Sequence, residues 1–326
     1  MTKLSRRRFM HFAAAAAGLR TIVSFAWAQA YPTRPVRVIV PFPPGGVTDT
    51  IARPMAQWLS DRLHKPFIIE NRPGAGTNIG TEAAVRAPPD GHTLLLASSA
   101  NAINATLYDK LSFDFIRDVA PVAGIVRLPI IMVVISSFPG KTVPEFIAYA
   151  KANPGKINMA TAGPGSTLRM FGELFQMMTG TSLTAVSYRG GSAAFVDLLS
   201  GQVQVMFGPL SESIGHIRSG ELRALAVTGA TRSAILPDVP TVGESVPGYE
   251  TDTWYGIGAP KNTPAEIVTT LNAEINAGLA DAKMQERFAD LGGVPLAMSP
   301  AEFGTFLAEQ TDKWAKVIAF AGIKPE

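Results

Sequence analysis

The chain contains no cysteine, which excludes a disulfide framework, a thiolate nucleophile, thiolate-bound metal and a lipid anchor on cysteine. Histidine is nearly absent too. After the first 30 residues only His64, His92 and His216 remain, far apart and without metal-ligand spacing. Neither G-x-S-x-G nor H-E-x-x-H occurs, so the usual hydrolase and metalloprotease signatures are missing. Gly140-Lys141-Thr142 has the end of a phosphate-loop motif, but Ile135 stands where that motif needs glycine, and Thr142 with Glu145 forms a helix-capping pattern instead. No cofactor is implied. There is also no basic tract. Five of the 29 basic residues fall in the first 30 positions, which hold no acid, so the remainder carries two more acidic than basic residues. That balance gives no electrostatic footprint for nucleic acid or for an anionic membrane surface.

What is present begins with Ser5-Arg6-Arg7-Arg8-Phe9-Met10, followed by a small-apolar stretch at 12–19 that Arg20 interrupts. A basic n-region ahead of a short h-region is an export signal, and the arginine pair resembles the twin-arginine type. The stretch is shorter than the roughly 20 residues a membrane span needs. Ala28-Gln29-Ala30 offers a cleavage site, so residues 1–30 are expected to be a signal peptide and the mature chain to begin near Tyr31, in the periplasm.

Downstream, short apolar runs alternate with amphipathic stretches: 36–40, 51–63, 67–70, 81–86 and 93–97, then again 157–160, 167–178, 183–188, 193–199 and 203–207. This alternation predicts an α/β protein built of parallel βαβ units in two similar lobes. Residues 128–135, the most hydrophobic run after the leader, suit a buried strand that carries the chain into the second lobe. A return is expected at 253–258, which makes residues 31–126 and 252–326 one lobe and 127–251 the other, joined by a two-crossing hinge. Thr263-Pro264-Ala265-Glu266 and Ser299-Pro300-Ala301-Glu302 read as capping boxes that start two helices near the carboxyl end.

The stretch 38–49 runs from a strand through Pro41-Phe42-Pro43-Pro44-Gly45-Gly46 into a helix start with Thr48 and Asp49. Backbone N–H groups at such a start can hold an anion, and glycine lets it approach the main chain. A stiff turn with Thr48 or Asp49 as N-cap is an equal alternative. Residues 158–167 repeat the idea in the other lobe with Gly163-Pro164-Gly165-Ser166-Thr167, so two half-sites facing one cleft are expected. Ser98, Ser99 and Asn78 lie at corresponding loop positions, whereas Asn104 fits turn and cap chemistry better. Arg189-Gly190-Gly191 follows a strand and can face the same cleft, and Arg169 either pairs with a second carboxylate or is a solvated charge. A helix dipole supplies about 0.3–1 kcal/mol at an exposed end, and a hydrogen bond to a charged group about 1.5–3 kcal/mol. Micromolar binding needs about 8 kcal/mol, so four or five convergent donors are required and dipoles alone do not suffice.

These motifs resemble the substrate-binding receptors of tripartite tricarboxylate transporters, the Bug family. The resemblance runs through Tyr31-Pro32, Pro41-Phe42-Pro43-Pro44-Gly45-Gly46 with Asp49, Glu70-Asn71-Arg72-Pro73-Gly74-Ala75-Gly76 and Gly163-Pro164-Gly165-Ser166. It continues in Tyr188-Arg189-Gly190-Gly191, Gly201-Gln202-Val203 and Trp254-Tyr255-Gly256 with Ala259-Pro260. It implies a type II periplasmic-binding-protein-like fold that closes on a small carboxylate with help from ordered water. It further implies a monomer that delivers its ligand to the membrane subunits of the transporter. By the same analogy Phe42, Gly45, Gly46 and Asp49 belong to the first loop and Gly165, Ser166 and Thr167 to the second, with Thr48, Ser98 and Ser99 nearby. The chain departs from the family pattern at Arg169, where histidine is common, and at Gly208, where an acid often follows the phenylalanine. Both changes make the pocket rim more positive and point toward a di- or tricarboxylate, with an aromatic acid still open. A sensory receptor of the same fold is a second reading. An enzyme using Ser166 or Asp49 is a third, but no base is placed beside either by sequence.

Overall fold

A computed structural model describes residues 31–188 and 191–325. The expected signal peptide at residues 1–30, the Arg189-Gly190 pair and Glu326 lie outside the described residues. Along the chain come β1 (Val36–Val40), α1 (Val47–Leu63), β2 (Phe67–Asn71), α2 (Asn78–Val85), β3 (Thr93–Ser98), α3 (Ser99–Leu107), the short α4 (Phe115–Asp118) and β4 (Val119–Leu128). Then follow β5 (Ile130–Ile135), α5 (Val143–Ala152), β6 (Asn158–Thr161), α6 (Thr167–Thr179), β7 (Thr184–Ser187), α7 (Gly191–Ser200), β8 (Val205–Pro209), α8 (Leu210–Arg218) and β9 (Leu222–Val227). The last stretch holds β10 (Thr253–Pro260), α9 (Ala265–Leu279), α10 (Ala282–Asp290), β11 (Val294–Pro295) and α11 (Pro300–Ala321).

Two α/β lobes result. One sheet has the order β11-β4-β10-β3-β1-β2 and the other β7-β6-β8-β5-β9. The βαβ units at β1–β2, β1–β3, β6–β7 and β6–β8 are parallel. The sheets are nonetheless mixed: β10 pairs antiparallel with β3 and β4, and β5 antiparallel with β8 and β9. Periodicity reports a buried strand but not its direction, which is why the alternation alone suggested parallel units throughout.

The apolar run at 128–135 is divided at Pro129, which has no N–H to give a ladder. Leu128 ends β4 in the first sheet and Ile130 opens β5 in the second, so the chain changes sheets across a single residue. It comes back between Val227 and Thr253. Ser299 and Glu302 form the expected capping box at α11. Thr263 behaves otherwise, donating its hydroxyl to Pro260 O at 2.7 Å and leaving α9 without a side-chain cap.

The lobes share part of their core. Leu95 and Ala97 of β3, Met132 and Val134 of β5 and Phe171 and Phe175 of α6 belong to one buried cluster. α11 knits it together by packing against both α3 and α6. Trp314 stacks on Phe171 with ring centroids 5.5 Å apart and planes at 10°, both rings being fully buried. On the other side Phe303 lies against β10 so closely that a Cβ at Gly256 would fall 2.3 Å from its ring. We predict that Trp314→Ala lowers stability by about 3–5 kcal/mol, as for other buried aromatic truncations. Urea denaturation checks this, and a loss below about 1 kcal/mol would contradict the shared core.

Candidate functional site

The carboxyl ends of β1, β3 and β6 run into α1, α3 and α6, and their loops border a cleft of about 530 Å³. Pro41 to Pro43, the turn at 73–77 and the start of α3 form one wall, and residues 162–167 form the other. The walls come close: a Cβ on Gly165 would sit 2.7 Å from Leu107 Cδ2 of α3. Only a residue without a side chain lets the second-lobe loop approach this near without displacing Leu107.

At the start of α3, the Ser98 N–H and hydroxyl both donate to Asn101 Oδ1, at 2.8 and 3.2 Å. Asn101 Nδ2 in turn donates to Thr81 Oγ1 at 2.7 Å. Ser99 Oγ accepts the Trp254 N–H at 2.9 Å and so ties the helix start to β10. Both serines border the cleft, yet their side chains hold the turn. The groups left for a ligand are the first-turn N–H groups, which have no intrahelical acceptor.

The start of α6 follows the same logic. Ser166 Oγ donates to Gly163 O at 2.8 Å and accepts from Ala162 N at 3.2 Å and Arg169 N at 3.3 Å. Its proton is committed to the loop, so Ser166 shapes the half-site while Gly165 and Thr167 border the cleft beside it.

The turn between β2 and α2 is the strained part of the wall. Gly74, Ala75, Gly76 and Thr77 all have positive φ, at 128°, 46°, 61° and 93°. Two of the four carry side chains, and such conformations cost of order 1–3 kcal/mol each. Asn104 of α3 pins the turn by donating its amide to Gly76 O, with Thr77 Oγ1 at 3.4 Å and Asn78 Oδ1 at 3.3 Å. Asn104 therefore does both jobs, turn chemistry and lining the cleft. Asn78 is buried behind the turn and does not border the cleft.

The first glycine loop divides its residues. Phe42 borders the cleft, whereas Gly45 and Asp49 border a different hollow with Arg53 and Arg287. Gly46 is the N-cap of α1, and Thr48 is buried in its first turn. The Asp49 carboxylate accepts from Gly45 N at 2.8 Å, from Asn71 Nδ2 at 2.9 Å and from Arg53 at 2.8 Å. Burial raises its pKa, but these hydrogen bonds and the Arg53 charge outweigh that and hold it below its ordinary value. Asn71 also donates to Phe42 O at 3.1 Å, so the acid positions the Phe42 loop through Asn71 and Gly45.

Arg169 turns along its helix. Its Nε meets Glu173 Oε1 at 3.2 Å, and it does not line the cleft. Burial raises the Glu173 carboxyl, and Arg169 partly offsets that. Among the described residues no charged side chain lines the cleft.

A family model for the tripartite tricarboxylate transporter family receptor matches residues 51–323. The chain belongs to this receptor family. Protein BugT of Bordetella pertussis (strain Tohama I) is 37% identical over 313 residues, 95% of each chain. A solved R. palustris protein, titled with adipate, is 36% identical with a TM-score of 0.78 and covers 91% of this chain and 100% of its own. The periplasmic binding protein BugD is 35% identical with a TM-score of 0.74 over the same shares. MatC from Rhodopseudomonas palustris, titled with bound malate, is 31% identical with a TM-score of 0.74, covering 88% of this chain and 100% of its own.

Within this receptor fold, the residues that sequence reasoning passed over are Thr77, Ala100, Leu107, Tyr108, Thr253 and Tyr255, all bordering the cleft. Leu107 and Tyr108 close a helix that reads as ordinary apolar spacing, so nothing local marks them. Ala100 contributes only its place in the first turn of α3. Ser166→Ala should cost about 0.5–2 kcal/mol as a lost N-cap, toward the upper end because the hydroxyl also holds residues 162 and 163. Chemical denaturation reads this directly, and unchanged stability would show that the cap is not formed.

Proposed function

We propose that this receptor captures a small carboxylate in the cleft and releases it unaltered to the membrane subunits of a tripartite tricarboxylate-type transporter. The observation that carries the reading is the convergence of two helix starts, α3 from the first lobe and α6 from the second, on one cleft. Each presents first-turn N–H groups beside a serine, Ser98 or Ser166, whose hydroxyl proton is already committed, the arrangement that favours an anion over a neutral ligand. Relatives at 31–36% identity are solved with adipate and with malate, which supports a carboxylate here. Donors from both lobes share the load, consistent with closure around the ligand by a hinge at the two sheet crossings. Arg127 beside the first crossing meets Glu250 beside the return at 3.4 Å, which supports placing the lobe boundaries near residues 127 and 252.

The donation of the Ser166 proton to Gly163 O supports binding rather than nucleophilic chemistry. Asp49 is likewise occupied by Gly45, Asn71 and Arg53, which favours a positioning role. The reading places the protein in the periplasm as a monomer, exported through the twin-arginine-type leader and processed near Tyr31. Among the described residues no helix is long and apolar enough to cross a membrane.

A thermal-shift screen of mono-, di- and tricarboxylates tests the proposal, because a ligand that binds only the folded state stabilises it by about 2.7 kcal/mol at a hundredfold excess over Kd. The expected result is a raised Tm with at least one acid, and that acid recovered unchanged after prolonged incubation. No shift with any acid, or steady consumption of one, would overturn the reading.

A further inference from the structure

We infer that the ligand is a carboxylic acid whose body beyond its terminal carboxyl group or groups is hydrocarbon, as a chain or a ring, rather than a hydroxylated tri-acid. The inference rests on the carboxylate reading above and narrows it. The cleft between the two helix starts is lined by Phe42, Leu107 and Tyr108 and, from the second lobe, by Pro164. These surfaces are mostly hydrocarbon, with the Tyr108 hydroxyl as their one polar side-chain group.

Four polar side chains on the lining are paired within the protein, while Thr167, Thr253, Tyr108 and Tyr255 bring hydroxyls but no charge. Ser98 serves Asn101, Ser99 holds the Trp254 N–H, Ser166 serves Gly163, and the Asn104 amide serves Gly76. Freeing Ser98, Ser166 or Asn104 for a ligand would release the turn that forms the half-site. Arg169, the cation that sequence reasoning offered to a further carboxylate, is engaged with Glu173. A central carboxylate in mid-cleft would therefore give up water without meeting a cation, which is unfavourable. A methylene in the same place gains from the transfer.

The test is isothermal titration of the processed protein with butyrate, hexanoate and octanoate, with citrate as the hydroxylated tri-acid. Affinity should rise about fourfold per added methylene, equivalent to about 0.8 kcal/mol per buried CH₂, until the cleft is filled. Binding of hexanoate should carry a negative heat-capacity change and exceed that of citrate. Phe42→Ala should weaken octanoate more than butyrate and so flatten the slope, with circular dichroism melting to confirm that the variant folds. The slope of the unmutated protein stands as a test even if that variant does not fold. Citrate binding more tightly than hexanoate, or affinity independent of chain length, overturns this inference and leaves the carboxylate reading intact. If none of the acids binds, the carboxylate reading falls and this inference with it.

Discussion

The N–H groups in the first turn of an α-helix have no acceptor within the helix, and in this protein two such turns from different sheets open onto the same cleft. Much of the surrounding structure follows from keeping those turns in place. Ser98 with Asn101 and Ser166 with Gly163 each hold a helix start by a hydroxyl that has given its proton away, and Ser99 accepts the backbone N–H of Trp254. Asn104 pins a turn with four successive positive φ values, and Asp49 with Asn71 fixes the Phe42 loop from behind. On the proposed reading the binding capacity is mostly main chain, and the side chains supply rigidity and a largely apolar wall. Preorganised donors of this kind lose little freedom on binding, which is how a few N–H groups can reach useful affinity.

Placing two lobes that accurately requires a bridge between them. α11 supplies it, with Trp314 against Phe171 of the second lobe and Phe303 against Gly256 of the first. The lobes meet again where Gly165 passes over Leu107. At Gly256 and Gly165 alike, the absent side chain sets how near two elements can come.

The fold was largely legible. Strand β1 matches its predicted span, and α1, α6 and β10 lie within a few residues of theirs, because period and length distinguish buried strands from amphipathic helices. Strand direction was not legible, since β5 and β10 have the same apolar character whichever way they run. The site was readable where backbone chemistry leaves a composition trace, as in Gly163-Pro164-Gly165-Ser166. It was not readable where tertiary contact decides the role. Asp49 is held by Asn71 22 positions away, and Ser99 by Trp254 155 positions away. Arg169 shows the limit from the other side. Its place at a helix start suggested a ligand contact, but Glu173 four residues on lies within its reach and takes the charge. Neither Arg169 nor Gly208 lines the cleft, so the positive rim suggested by these two departures does not border it.

A crystal structure of the processed protein with the acid that gives the largest thermal shift tests the central claim most directly. The account predicts carboxylate oxygens within about 2.7–3.2 Å of N–H groups both in the first turn of α3, at Ser99 and Ala100, and in the turn that opens α6, at Gly165 and Thr167. A carboxylate paired instead with a lysine or arginine side chain, or touching only one of the two helix starts, would contradict it.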